Sequence, residues 1–281
     1  MRPSYEIKPR NQTALTRCAR PVFRTFPILA GMELLHYGMV LGVGLFAGFV
    51  NTLAGGGSLL ILPMLIFLGL PPATANGTNR VAILVQNISA TAGFRRKGFT
   101  DFKFSLLLSG PALAGAVTGA YIAVEIPGEV FKIVLGLVML LVVAATFFNP
   151  FKRETIAFSD LTSRDKLTAA ALFFFVGLYG GFIQAGVGFL IIGLLTLVCR
   201  LDLVRVNSIK VFVVGVYTVA ALAIFIAYDQ VDWITGLILA AGTGAGGWIG
   251  SHWAVREGEN KIKIVLALAV TGMSLKLLGV F

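Results

Sequence analysis

The chain has 281 residues, of which 57% are hydrophobic and 13% charged, and it carries a formal net charge of +10 at pH 7. A soluble domain holds about twice that share of charge, so the composition excludes an ordinary water-soluble fold and points to a surface that faces lipid. The excess of Lys and Arg does not form a nucleic-acid face, because it falls in short clusters between apolar runs, the pattern of positive-inside loops. Cys18 and Cys199 stand far apart, one in a basic tail and one in an apolar run, and make no metal or disulfide framework.

The first predicted element is a basic tail, residues 1–33, with Arg2, Lys8, Arg10, Arg17, Arg20 and Arg24 against Glu6 before any long apolar run. It lacks the early apolar stretch of a signal peptide and reads as a retained segment suited to anionic headgroups, or as an extension without a role. Eight apolar runs follow, each near the length of about 20 residues that crosses a bilayer as a helix. They are Leu34–Leu70 (interrupted), Val81–Phe94, Phe104–Val124, Val130–Phe148, Leu167–Val198 (interrupted), Val211–Ala227, Trp233–Val255 and Ile262–Val280. The polar segment 149–166 separates a first transmembrane repeat, 34–148, from a second, 167–281. The expected fold is therefore an all-α polytopic transmembrane bundle of two homologous four-element halves, each with a broken first helix.

The halves correspond at a nearly constant spacing. GLFAGFVN (Gly44–Asn51) matches GLYGGFIQ (Gly177–Gln184) 133 positions on, and TNRV (Thr78–Val81) matches SIKV (Ser208–Val211) 130 positions on. Gly115 and Gly119 correspond to Gly246 and Gly250 at 131 positions, which is the regular but weak similarity that transporter repeats show. These four glycines, spaced four apart without polar neighbours, are expected to serve close helix packing. If the broken segments are re-entrant, the basic clusters near Arg95–Lys103, Lys152–Lys166, Arg200–Lys210 and Arg256–Lys263 face one side, and the halves are inverted repeats.

Both breaks carry polar residues beside glycine: NTLAGGGS (Asn51–Ser58) and QAGVG (Gln184–Gly188). Glycine disfavours continued helix, and backbone groups freed at membrane depth are tolerated only inside protein or along a polar cavity. A half-helix that opens there turns free N–H groups and a positive dipole end toward an anion. The candidate binding residues are Asn51, Thr52, Gly55, Gly56, Gly57 and Ser58 at the first break, with Gln184, Gly186 and Gly188 at the second. Arg80 and Lys210, each expected near a helix start, add positive charge that is costly within an apolar region unless paired or functional. With no acid close to Arg80 in sequence, an anionic substrate would supply the partner. Asn76, Thr78, Asn79, Asn87 and Ser208 complete the set. The competing readings are that the break glycines only allow close packing, that both cations snorkel to the interface, and that Thr78 is an N-cap.

AGFVNTLAGGGSLLILPML (Ala47–Leu65), ANGTNRVAILVQNISATAGFRRKGFTD (Ala75–Asp101) and GLYGGFIQAGVGF (Gly177–Phe189) resemble the sulfite exporter family TauE/SafE, also described as toluene-sulfonate uptake permeases. The resemblance covers nearly the whole chain after the tail. It implies two homologous halves and movement of sulfite, sulfonates or related sulfur anions. Val187 and Ser208 depart from the commoner second-half pattern, which has a small or polar residue and a Thr there.

The expected function is a secondary carrier of a small anion, most simply a sulfur oxyanion or organosulfonate such as sulfite. A passive anion channel and a carrier of carboxylates are the alternatives. Acidic and His residues in the apolar regions, Glu33, His36, Glu125 and His252, all lie near ends, which disfavours a carboxylate relay. An enzyme is not expected, since there is no HExxH and Ser58 has no nearby His in sequence. No cofactor, metal or nucleic acid is expected. The expected partners are the anion, the lipid bilayer of a prokaryotic inner membrane and, compatible with such a bundle, further copies of the chain.

Overall fold

The computed structural model describes residues 27–98, 101–148, 156, 160–253, 268 and 270–280. Most of the basic tail and of the 149–166 linker lies outside the described residues. The contacts separate Met1–His36 from the compact unit Tyr37–Phe281, and the candidate binding residues all fall in the second of these.

The described secondary structure is helical: α1 (Pro27–Ala54), α2 (Ser58–Phe67), α3 (Pro72–Arg96), α4 (Phe102–Glu125), α5 (Gly128–Phe148), α6 (Ser163–Phe182), α7 (Val187–Val198), α8 (Leu203–Ala227) and α9 (Trp233–Trp253). Residues 270–277 are also helical. Among the described residues, α4, α6 and α8 are long and apolar enough to cross a membrane. Their exposed large side chains, such as Leu106, Tyr121, Phe175 and Val219, form the lipid-facing surface such helices need.

Both interrupted runs are broken where glycines and polar residues fall, giving α1 with α2 and α6 with α7. The next helix starts earlier than its apolar run in each half. Pro72 opens α3, where its missing N–H costs nothing, and Asp202 caps α8 by accepting from the Arg205 N–H at 3.0 Å. Arg80 and Lys210 consequently sit well inside helices rather than near their starts. Thr78 is no N-cap: in the body of α3, it accepts a hydrogen bond from the Asp232 N–H at 2.9 Å. α6 begins within the expected linker, where Thr162 and Asp165 form a reciprocal capping box.

Small residues set the packing. α4 lies on α6, α3 on α9, and α8 against both α3 and α4. A methyl group at Gly115 would run into the Phe174 carbonyl and one at Gly177 into the Ala112 carbonyl, so the α4–α6 backbones nearly touch. α1 and α9 meet in the same manner, Gly48 against Thr243 and Gly246 against the Leu45 carbonyl. The packing role expected for Gly115, Gly119, Gly246 and Gly250 is what these contacts show.

The loops gather at two ends. At one, Asp101 pairs with Arg205 at 3.2 Å, the Ile156 N–H donates to the Arg200 carbonyl at 3.0 Å, and Lys97 donates to the His252 carbonyl at 2.6 Å. Partial burial raises the Asp101 carboxyl above its ordinary value; Arg205 opposes the rise and Asp202 adds to it. At the other end, Thr74 donates to Gln230 at 2.7 Å, beside the Thr78 and Asp232 contact.

Candidate functional site

The two breaks meet. Gly55, in the left-handed region at φ +80°, lies so close to Gly188 that a Cβ on Gly55 would stand 2.5 Å from the Gly188 Cα. The pair is 133 positions apart, the spacing that relates Asn51 to Gln184. Close packing is therefore one role of Gly55 and Gly188. The backbone leaves α6 through left-handed residues Gln184 (φ 67°) and Gly186 (φ 75°), the former without a glycine's freedom. Beyond the breaks, the N–H groups of Gly57, Ser58 and Gly188 donate no backbone hydrogen bond among the described residues. They are the unpaired donors expected at the starts of α2 and α7.

Each break has a polar cluster around it. In the first, the Asn51 side-chain N–H donates to Gln86 at 3.0 Å, and Gln86 in turn donates to the Thr52 hydroxyl at 3.4 Å. Lys210 reaches across from α8 and donates to the carbonyls of Asn51 at 3.0 Å and Thr52 at 3.2 Å, and to the Asn207 side chain at 2.7 Å. Asn207 donates to the Leu53 carbonyl at 2.9 Å. In the second, the Tyr217 hydroxyl donates to the Gln184 side chain at 3.1 Å. Arg80 reaches across from α3, donating to the Gly180 carbonyl at 3.2 Å and also to the Gly181 carbonyl, while Asn76 donates to the Phe182 carbonyl at 2.7 Å.

Neither cation snorkels. Arg80 is fully buried, its guanidinium 4.6 Å from the Phe225 ring centroid, and Lys210 is 3% exposed. They are the charged residues of the buried set, which contains no carboxylate among the described residues. Carbonyl dipoles therefore offset the two interior positive charges. The terminal nitrogens of Arg80 are engaged by those carbonyls, and its Nε has no partner among the described residues.

The remaining candidates fall in different places. Gly56 and Ser58 are buried at the first break, and Ser208 is buried two residues before Lys210. Asn87 turns back on its own helix, donating to the Ile83 carbonyl at 2.8 Å. Asn79 is fully enclosed with neither amide atom partnered among the described residues. Sequence reasoning left Tyr217 and Asn207 out. The 130-position spacing of this segment sets Val206 opposite Asn76 and Val216 opposite Gln86, so each lies one position away from the match that would have singled it out.

A helical bundle with lipid-facing apolar helices and a charged, carbonyl-lined interior defines the class of integral membrane transporters. Residues 40–277 match the profile of the sulfite exporter TauE/SafE family, and the chain belongs to that family. It is 29% identical over 238 residues to the probable membrane transporter protein ORF9 of a Sinorhizobium species, covering 83% of this chain and 88% of that one. It is 27% identical over 257 residues to the probable membrane transporter protein YfcA of Escherichia coli strain K12, covering 90% and 94%. A Bacillus subtilis relative, the probable membrane transporter protein YunE, is 26% identical over 235 residues, covering 74% and 85%. No solved structure matches the chain.

Proposed function

We propose that the chain is a secondary carrier of a small anion, a sulfur oxyanion or organosulfonate such as sulfite, in the cytoplasmic membrane of a bacterium. The observation that carries this reading is the pair of buried cations, Arg80 and Lys210, set at two helix breaks inside the bundle. An interior that carries positive charge favours an anionic guest and rejects cations. The family's description speaks for sulfur among the anions, and the bacterial relatives speak for the membrane.

Because Gly55 and Gly188 fill the space between the breaks, the anion binds beside that contact rather than between the two glycines. There the N–H groups of Gly57, Ser58 and Gly188 supply donors, Asn51 and Gln184 orient it, and Arg80 and Lys210 attract it through their charge. The two halves are inverted repeats in this reading. Support comes from the contact of equivalent glycines, from the matching α4–α6 and α1–α9 packing, and from the contacts that join Lys97, Arg200 and Arg205 to partners at one end, Arg256–Lys263 lying outside the described residues.

The test is flux of labelled sulfite into proteoliposomes containing the purified chain, with thiosulfate, sulfate, sulfonates and carboxylates as competitors. A saturable flux with counterflow, inhibited best by sulfur anions, is expected. Ohmic single-channel currents, or inhibition by carboxylates alone, would overturn the reading.

A further inference from the structure

The last four carbonyls of a helix have no partner within it, and a helix that ends inside a membrane needs all of them satisfied from elsewhere. In α6 every one is accounted for. The Tyr179 carbonyl accepts from the Ile183 N–H at 2.9 Å, those of Gly180 and Gly181 from Arg80, and that of Phe182 from Asn76. In α1 the Asn51 carbonyl accepts from the Gly55 N–H at 2.9 Å and from Lys210, that of Thr52 from Lys210, and that of Leu53 from Asn207. Each set joins one amide to one cation a turn further along a helix, Asn76 with Arg80 and Asn207 with Lys210. Each set also comes from the opposite half: α3 closes α6, and α8 closes α1.

We propose that Arg80 and Lys210 are positioning residues that act reciprocally across the two halves. Each cation closes the carbonyl end of the other half's first helix and thereby aims the glycine break beyond it, without touching the transported anion in this state. The chemistry fits the cations to this role. A positive side chain at a helix C-terminus interacts favourably with the dipole, and a guanidinium can serve two successive carbonyls at once. The two terminal nitrogens of Arg80 donate to the Gly180 and Gly181 carbonyls and Phe225 lies against the guanidinium, while its buried Nε has no partner among the described residues. The backbone turns into left-handed conformations just past each capped end, at Gly55 and at Gln184, so holding the carbonyls fixes where each break starts. Gln86 and Tyr217 add the complement within each half, holding Asn51 and Gln184.

The inference rests on the anion-carrier reading for its functional consequence but not for its structural one, and the experiment separates the two. Amide hydrogen exchange is measured on the full chain in detergent for Arg80→Gln and Lys210→Gln, for their conservative partners Arg80→Lys and Lys210→Arg, and for Asn76→Ala and Asn207→Ala. Losing one buried carbonyl partner is expected to speed exchange about tenfold. Arg80→Gln and Asn76→Ala should do so at residues 183–188, whereas Lys210→Gln and Asn207→Ala should do so at 55–58. The conservative variants should recover most of the protection. Sulfite counterflow on Asn76→Ala and Asn207→Ala, which keep both charges, should show maximal flux falling about tenfold, with KM held within about twofold.

Faster exchange confined to the mutated residue's own helix, or none, would overturn the proposal. So would a rise in KM well beyond twofold with Asn76→Ala or Asn207→Ala, because with both charges in place that is the signature of direct anion contact. If the charge variants fail to fold, the two alanine variants carry the same expectation. If the wild-type chain moves no sulfite, the carrier reading fails for that probe, while the reciprocal exchange pattern still decides the capping roles.

Discussion

At Gly188 a single methyl group is expected to be disruptive, because the Gly55 backbone occupies the position it would take. Gly188→Ala should lower stability by about 1–3 kcal/mol, read as an earlier thermal unfolding midpoint in detergent; a wild-type midpoint would remove the close-contact argument. Tyr217 poses the opposite case. Its hydroxyl donates to Gln184, a non-glycine residue held at positive φ. Tyr217→Phe should therefore fold and leave Gln184 less well oriented, raising the KM for sulfite about fivefold, from the loss of about 1 kcal/mol. An unchanged KM would show that Gln184 is held by its backbone alone. Arg80 illustrates why residue type and position do not settle a role. The absence of a neighbouring acid pointed to a substrate partner, yet the carbonyl ends of α6, distant in sequence, occupy its terminal nitrogens.

At the scale of helices, the glycine spacing has consequences of opposite sign. Gly177 presses on the Ala112 carbonyl in the α4–α6 contact, whereas Gly110 in α4 has open space where a Cβ would go. Gly177→Ala should separate the two helices and cost stability, while Gly110→Ala should gain about 0.5–1 kcal/mol by removing backbone freedom from the unfolded chain. Thermal unfolding of the two variants side by side checks both signs. The start of α4 offers a pH test. Because Asp101 has a folded-state carboxyl raised above its ordinary value, folding favours its protonated form, and that contribution is lost as pH rises through the raised value. Asp101→Asn should therefore match the wild type in acid and become the more stable of the two toward neutrality. A less stable Asn variant at pH 7 would mean that the Arg205 pair outweighs burial. Helix starts were the least legible part of the sequence. Asn76, Thr78, Asn79 and Arg80 interrupt the hydrophobic pattern, so the apolar run suggested a start near Thr78, but as buried polar contacts within α3 they do not end the helix.

For the whole molecule, the end-to-end distribution of loops makes a direct statement about topology. Ile156, Arg200, Arg205, Asp101, Lys97 and His252 are linked at one end, while Thr74, Thr78, Gln230 and Asp232 are linked at the other. With the native cysteines replaced, a cysteine at Gly98 or Arg200 should react with an impermeant thiol reagent only from the cytoplasmic face, and one at Asp229 only from the opposite face. Labelling of Gly98 and Asp229 from the same side would reverse the orientation proposed for the halves.

The amino-acid sequence alone determined that this is a helical membrane protein and where its two long apolar stretches break. Those properties follow from local composition, glycine placement and spacing, which need no knowledge of neighbours. Tertiary structure decided what the buried cations bind and which glycines touch. The partners of Arg80 and Lys210 are backbone carbonyls of helices about a hundred or more residues away, and a carbonyl is present at every residue, so only its placement at a helix end against a reaching side chain makes it a ligand.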